Sequence, residues 1–508
     1  MMKKIIILLC CTLFVFTNCT DDLNTEPQVE QTLEDLLESD PDAITGLLSR
    51  LYASFALSGP DGPGSSDIDD DAGESPFLRG IVNLQDFTAD GMKNRWGDDG
   101  LDQLTTSTDW TQNNKFFRYL YNRIYYTVPT ANNLLLILEA EDVENEDQVV
   151  AEVRFLRALA YYYLIDCFGK GVLATEDNYG TSAPLEEVSR TELFEYVETE
   201  LIAAEADLPT TNGYGQATKA AAQMLLAKLY LNAEVYTGTS RFDDAVPYIN
   251  SVINDGGYTL ATDFVSLFSG DNYTSTEIIL PLIADAISSQ SYGNTTYIVN
   301  GSMSSETMTI TDFGTDDPWS GHRATKAWYG LYEEGDDRGE LFWTEGHNYE
   351  MTDYKEWTDG YPSIKFRNTG YSTTLDATSF SSTDFPLFRL ADAYLMYAEC
   401  AIRGASGTDM STARNYVNLV RTRSNASSIS LSDLTLDFIL DERARELNLE
   451  GHRRSDLIRF GKFTGGSYIW PWKGNTAQGT SIPSTYELFP IPSSALEANT
   501  NLSQNPGY

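Results

Sequence analysis

The stretch Val153–Cys167, VRFLRALAYYYLIDC, constrains the fold more than any other feature of the chain. Apolar side chains recur at three- and four-residue spacing, with Val149, Val153, Leu156, Ala160 and Tyr163 on one face. This spacing predicts a helix over 147–168, stopped by Gly169 and Gly171. A second apolar stripe over 112–140 predicts its neighbour. Ser189-Arg190-Thr191-Glu192 has the capping-box pattern and opens a helix with Leu193, Val197, Leu201, Ala204 and Leu208 on one face; Pro209 ends it. Further helices are expected near Ala43–Phe55, over 219–234 and Phe242–Asn254, and over 386–402, 412–423 and 435–451.

Small residues stand beside aromatic ones at corresponding places in successive helices: Ala158/Tyr161, Ala227/Tyr230 and Ala391/Tyr394. Such pairs resemble tetratricopeptide-type helical hairpins, which stack because one pair cannot bury its own face. The expected fold is therefore mainly α. Its scaffold covers about 40–57, 112–260 and 385–462, with a C-terminal segment over 463–508. The stretches 58–111 and 265–384 break this style, being rich in Gly, Ser, Thr, Asp and aromatics. EIILPLI (277–283) and TTYIVNG (295–301) read as short strands. An insertion of that length is too long for an idle loop, and function favours irregular segments held by a rigid frame.

The N-terminus reads as an export signal, residues 1–18. Lys3 and Lys4 precede IIILLCCTLFVF (Ile5–Phe16), a run too short to span a bilayer. FTNC ends at Cys19, which resembles a bacterial lipobox although Thr17-Asn18 replaces the usual small pair. Cys19 is the expected lipid-attachment site, and 19–508 the single mature body, tethered by its acyl chains. The whole chain carries 75 acidic and 34 basic residues, a formal charge of −41. Loss of the two leader lysines leaves 32 basic residues, a charge of −43. Such a surface repels nucleic acid and anionic lipid but does not penalise a neutral ligand. Beyond Cys19 only Cys167 and Cys400 remain, so the chain is no disulfide scaffold.

Catalytic and metal signatures are absent. His322, His347 and His452 share no metal-ligand spacing, and there is no nucleophile elbow or phosphate loop. Acids are too numerous for counting to exclude a glycosidase pair, but nothing singles one out. The charged string 441–462 reads as helix-face salt bridges and caps that lock the last hairpin. Three aromatics are placed differently. Trp96 in MKNRWGDDG, Tyr292 in SSQSYGNTTY and Trp319 in DDPWSGH lie among turn residues, outside any helical stripe. Such rings, with Asp71, Glu74 and Arg79 of DAGESPFLR (71–79), suit a neutral, partly apolar ligand such as a sugar. The sugar's C–H faces stack on the rings and its hydroxyls need hydrogen-bond partners.

Four stretches resemble the SusD/RagB family of outer-membrane nutrient-uptake lipoproteins: VRFLRALAYYYLIDCFGK (153–170), FPLFRLADAYLMYAECA (385–401), ERARELNLEGHRRSDLIRFGKF (442–463) and LFPIPSSALEANTNLSQNPGY (488–508). The resemblance implies a stack of tetratricopeptide-like hairpins carrying an irregular second half. DDDAGESPFLRG (69–80), LYLNAEVYTG (229–238), EIILPLI (277–283), SYGNTTYIVNG (291–301) and IWPWKGNTAQGTS (469–481) resemble the family's starch-binding founder. There, two tryptophans and a tyrosine cradle an α-1,4-glucan while an arginine, an asparagine and an aspartate bond its hydroxyls.

By that resemblance Tyr292 and Trp319 are arc residues, and Asp71 and Arg79 polar partners. Segment 90–100 departs from the pattern: strict alignment puts Asn94 at the other arc position, a small shift puts Trp96 there, and the asparagine partner becomes Asp98 or Asp99. The resemblance requires no cofactor. It leaves room for a structural calcium ion, although the loop around Asp271 is shortened and no ligands carry over. It further implies a non-enzymatic protein on the outer surface, held to the membrane only by its lipid. That protein would take starch or maltooligosaccharide for a SusC-type TonB-dependent transporter. A laminarin-type β-glucan, a glycoside hydrolase and a helical scaffold for protein partners are the alternatives.

Overall fold

The computed structural model describes residues 40, 42–68, 71–97, 100–141 and 143–508. Cys19, Asp98 and Asp99 lie outside the described residues. The chain divides into two compact units, residues 1–49 and 50–508. The second contains the scaffold and the candidate site.

Helices α1 (Ala43–Ala56) and α2 (Phe77–Ile81) precede five that build the first part of the stack: α3 (Lys115–Ala140), α4 (Glu146–Cys167), α5 (Arg190–Asp207), α6 (Lys219–Leu231) and α7 (Phe242–Asp255). Helix α8 (Thr295–Ser302) stands in the irregular part. The scaffold resumes with α9 (Leu390–Ile402), α10 (Met410–Arg423), α11 (Leu436–Glu446) and α12 (Arg453–Arg459). Each of α3 to α6 packs on the next, α7 packs directly on α9, and α9 on α10 and α11. The helical stack therefore continues across the irregular part, which is looped out between α7 and α9.

Local sequence accounts for these elements. Ser189 Oγ accepts the Glu192 N–H at 3.3 Å, while Glu192 Oε2 accepts the Ser189 N–H at 2.8 Å, so the capping box of α5 closes both ways. Leu193, Val197, Leu201 and Ala204 are fully buried. Ala158, Ala227 and Ala391 are also fully buried, and their lack of bulk lets neighbouring helices approach. Tyr161 is buried with its hydroxyl bonded to the Ala174 carbonyl at 2.9 Å. Cys167 and Cys400 are free thiols, both buried.

One sequence expectation is corrected and another extended. TTYIVNG is not a strand; it forms α8. Asn294 caps the helix by accepting the Thr296 N–H at 2.9 Å, and every residue from Thr295 to Ser302 is buried. Tertiary burial thus overrides the β-branched composition. The salt bridges expected of the string 441–462 are present, but they are buried and reach well beyond the last hairpin. Glu442, Glu446 and Glu450 are buried, and Arg338, Arg389, Arg421, Arg423 and Lys365 converge on them. Arg338 and Lys365 come from the irregular part, as does Glu277, which pairs with Arg389 and Arg423. The network therefore joins the irregular part to the scaffold, beyond locking one hairpin.

Four short strands serve the irregular part: β1 (Met92–Asn94), β2 (Ile278–Leu282), β3 (His322–Ala324) and β4 (Phe385–Arg389). β2 pairs antiparallel with β4, and β1 with β3, Asn94 standing opposite His322.

Candidate functional site

The β1–β3 pair brings two distant tryptophans together. Beyond its last rung, Arg95 N–H donates to the Gly321 carbonyl at 3.0 Å, so Trp96 and Trp319 leave the ladder side by side. Trp96 Nε1 donates to the Trp319 carbonyl at 3.2 Å. Gly321 makes room for this approach: a Cβ there would lie 2.5 Å from the Trp96 ring. The loop carrying Trp319 is pinned to the end of α8. Trp319 N–H bonds to the Asn300 carbonyl at 2.7 Å, Ser320 N–H to Met303 at 2.9 Å, and Gly321 N–H to Gly301 at 2.7 Å. The Trp319 indole N–H donates to Asp317 Oδ2 at 3.0 Å, which fixes the ring itself. Turn residues around a large indole thus hold it half-exposed.

The other face is built from the loop before α2. Asp71 Oδ1 accepts the N–H groups of Gly73 and Glu74, both at 2.9 Å, and closes the turn. Arg79 on α2 donates from Nη1 to the Gly73 carbonyl at 3.1 Å. Its backbone N–H bonds to the Gly293 carbonyl at 3.0 Å, tying α2 to the loop that carries Tyr292. Glu74 is held by Lys115 at 2.7 Å and by Arg79 at 3.6 Å.

Asp71, Gly73, Glu74, Arg79, Trp96, Tyr292 and Trp319 line one open cleft of about 560 Å³. Trp96 and Trp319 have ring centroids 6.4 Å apart and planes tilted by 53°; Trp319 and Tyr292 are 6.3 Å apart and tilted by 43°. Successive tilts give a faceted aromatic wall rather than a flat one. The structure therefore gathers Asp71, Arg79, Trp96, Tyr292 and Trp319, all named from the sequence, in one place. Asn94 is corrected: it is fully buried on β1, where its Oδ1 accepts the Trp96 N–H at 2.7 Å. Asn94 orients the backbone of Trp96, and Trp96 reaches the cleft.

A second layer, which sequence reasoning missed, lies under the wall. The Arg79 guanidinium sits 4.4 Å over the Tyr297 ring, and Tyr297 meets His322 edge-on at 4.7 Å. His322 lies 5.4 Å from Trp96 and 4.9 Å from Phe87. Burial, then the charges of Arg79 and Arg323, hold the His322 imidazole well below its ordinary pKa, so it is neutral. Neither of its ring nitrogens has a hydrogen-bond partner. It acts as a flat packing group between Tyr297 and Trp96.

The chemistry offered is stacking and hydrogen bonding. Among the described residues, Asp71 and Glu74 are the carboxyl groups that line the cleft. Asp71 Oδ1 is engaged by two backbone donors and Glu74 is ion-paired, so neither has the apolar, unpaired setting of a general acid. The residues around Asp271 do not fit a cation. Its oxygens already accept N–H groups of Tyr371, Ser372 and Thr373 at 2.6–2.9 Å and the hydroxyls of Ser372 and Thr373 at 3.0 Å. Among the described residues no group of three or more His, Cys, Asp or Glu converges in a metal-holding cluster.

Comparison with known proteins accords with this geometry. The profile described as the SusD family matches residues 232–508, and one described as starch-binding, associating with the outer membrane, matches residues 81–231. The starch-binding protein SusD of Bacteroides thetaiotaomicron is 33% identical, over 97% of this chain and 96% of that one. A SusD-like protein of Bacteroides ovatus is 25% identical over 68% of this chain and 65% of its own. Among solved structures, a SusD superfamily protein from Parabacteroides distasonis superposes with a TM-score of 0.73 at 23% identity, covering 92% of this chain and 99% of the other. Surface glycan-binding protein A from Bacteroides thetaiotaomicron, in complex with laminarihexaose, superposes with a TM-score of 0.70 at 22% identity, covering 91% and 99%. At those identities the structural likenesses establish the fold.

Proposed function

The chain belongs to the SusD family, and from that premise we propose that it is a non-catalytic glycan-binding lipoprotein whose cleft captures α-1,4-glucan, the glucan of starch, for uptake. The observation that carries the reading is the convergence of Trp96, Trp319 and Tyr292 on a single wall, with Asp71 and Arg79 at its side. Sugar C–H faces stack on such rings, and the polar pair meets hydroxyls. A neutral ligand tolerates the acidic surroundings. The 33%-identical relative, itself named as starch-binding, supports an α-glucan over other neutral glycans.

Capture at a surface implies a fixed location and a recipient. Cys19, just past the apolar run of the leader, is the proposed lipid-attachment residue, and the outer membrane the proposed site. No described helix is long and apolar enough to cross a membrane. The recipient is a SusC-type TonB-dependent transporter, which family membership supports. Cys19→Ala should move the protein from the membrane fraction to the soluble fraction; unchanged retention with no transporter present would refute the anchor.

Calorimetry with maltoheptaose, and in parallel with laminarihexaose, tests the ligand. Saturable binding of maltoheptaose with no release of reducing ends is the expected result. Binding of laminarihexaose alone would transfer the same cleft to β-glucan. Release of reducing ends would replace the binding role with hydrolysis.

A further inference from the structure

Two segments lead side by side away from the Tyr292 end of the wall. One runs back along the chain through 283–291, the other forward through 380–384. The Phe380 ring lies 4.9 Å from that of Tyr292 and continues the line of rings. Beyond it the segments are laced together. Ser382 Oγ accepts the Ala286 N–H at 3.1 Å, and Asp384 Oδ1 accepts the Ala284 N–H at 2.8 Å. At the far end the other Asp384 oxygen takes the Tyr214 hydroxyl, and Ile283 packs against Gly215. Four peptide steps separate Phe380 from Asp384, at most about 14 Å of chain.

This strip carries apolar side chains outward. Tyr292 is 38% exposed, Ile287 88%, Ile283 37% and Tyr214 49%. Their exposure is built in. Asp285 Oδ1 accepts the N–H groups of Ile287 and Ser288 at 3.0 and 2.7 Å, and the Ser288 hydroxyl at 2.8 Å; this closes the turn with Ile287 at its tip. The buried Asp384 carboxylate likewise holds the Tyr214 ring by its hydroxyl. Scattered apolar groups on a surface need no explanation. Four of them, with Tyr292, Ile287 and Ile283 following one laced segment from the aromatic cleft and Tyr214 bonded to Asp384 at its far end, describe a track. The track is continuous with the wall, shares its aromatic and apolar character, and lies on an acidic surface that disfavours an anionic occupant but not a neutral one.

We propose that the strip from Phe380 to Tyr214 is an extension of the cleft that holds the continuing chain of a polysaccharide. This rests on the glycan-binding reading above and adds to it a preference for polymer over short or closed oligomers.

The probes are the cyclic heptamer of α-1,4-glucose, which can fill the wall but has no chain to continue, and amylopectin. The variants are Tyr214→Ala and Ile287→Ser, with Tyr214→Phe retaining the ring. The cyclic heptamer should bind both variants within about twofold of wild type. Amylopectin, measured by retardation in affinity gels, should bind Tyr214→Ala about tenfold more weakly, the scale of one stacked ring. Ile287→Ser should weaken it less, and Tyr214→Phe, which keeps the ring but loses its bond to Asp384, should fall between wild type and Tyr214→Ala. Ile287→Ser removes no hydrogen bond and guards against a folding defect in Tyr214→Ala. Wild-type amylopectin affinity in both Tyr214→Ala and Ile287→Ser overturns the extension, and so does equal loss of both ligands in folded Ile287→Ser. If the wild type binds the cyclic heptamer, either failure touches the strip alone. If it binds neither glucan, the reading beneath the extension fails with it.

Discussion

The indole N–H of Trp96 is bonded to the backbone carbonyl of Trp319, 3.2 Å away. One ring of the wall thus fixes the loop that presents the other, and the two are a mechanical unit as well as two stacking faces. Loss of the Trp319 ring should cost about 1–3 kcal/mol of glycan binding, by analogy with stacked bases, or roughly 5- to 150-fold in Kd. Trp319→Ala should leave the melting temperature unchanged, since the ring is only half-buried. Trp96→Phe keeps an aromatic face but loses the bond to Trp319. It should weaken binding by about 0.5–1.5 kcal/mol, the net worth of one hydrogen bond. Calorimetry with maltoheptaose measures both; a Trp319→Ala protein that binds like wild type would make Trp319 a loop plug.

The wall depends on a residue that never touches ligand. A Cβ on Gly301 would lie 2.2 Å from Cε1 of His322, whose ring packs against Trp96 and Tyr297. Gly301→Ala should therefore push the imidazole toward Trp96. Overpacking of this kind costs about 1–3 kcal/mol. Thermal stability and glycan affinity should fall together, with a changed tryptophan emission in the unliganded protein. A variant with wild-type emission and affinity would show that the layer beneath Trp96 yields freely.

Legibility of the site in the sequence followed the reach of each signal. Tyr292 and Trp319 sit among turn residues, which set them apart from the helical stripes, and Asp71 and Arg79 lie together in one contiguous motif. Between Asn94 and Trp96 the linear sequence left two readings open, because the choice depends on pairing. Only the antiparallel register that sets Asn94 opposite His322 shows which side chain is buried and which emerges. Tyr297 was hidden inside a β-branched run that reads as a strand, and His322 inside a chain with no spacing to recommend it. The scaffold was legible because caps and 3.6-residue stripes are local. The carboxylate cluster of Glu442, Glu446 and Glu450 was not, because its arginine and lysine partners come from distant segments and a charged helix face looks the same whether solvated or buried.

Arg453 sits in a buried ion pair of its own with Asp90, and neither residue lines the cleft. Its Nε and Nη2 fork onto Asp90 at 2.8 and 2.6 Å, and Asp90 also accepts the Tyr468 hydroxyl at 2.6 Å. The Asp90 carboxyl is held below its ordinary pKa by the Arg453 charge and bonds, against the opposing effect of burial. Arg453→Ala would leave it buried and unpaired, a loss of about 3–5 kcal/mol. With an unfolding entropy that scales with chain length, a unit of this size shifts by about 1 °C per kcal/mol, so Tm should fall by about 3–5 °C. Glycan affinity of the folded variant should be unchanged. A large affinity loss in a protein that melts like wild type would move Arg453 into the binding machinery.

Asp86 gives a pH dependence whose sign is fixed by its surroundings. It is fully buried, with one oxygen accepting the Gly451 N–H at 3.1 Å and the other without a partner. Burial pushes its carboxyl up to about 8; the Gly451 bond and Lys365 oppose this, and Glu450 and Asp90 add to it. In the unfolded chain an aspartate titrates near 4. Between those values the folded state binds the extra proton, so this residue's contribution to stability declines as pH rises from about 4 to about 8. Asp86→Asn has nearly the same shape as the protonated acid and cannot ionise. It should melt close to wild type at pH 5 and above it at pH 9, by a few °C on the same ~1 °C per kcal/mol scale. Other titrating groups are common to both proteins and cancel in the difference. Melting curves at pH 5, 7 and 9 provide the measurement, and a difference that is flat across that range would show that the Asp86 carboxyl is already ionised in the folded protein at pH 5.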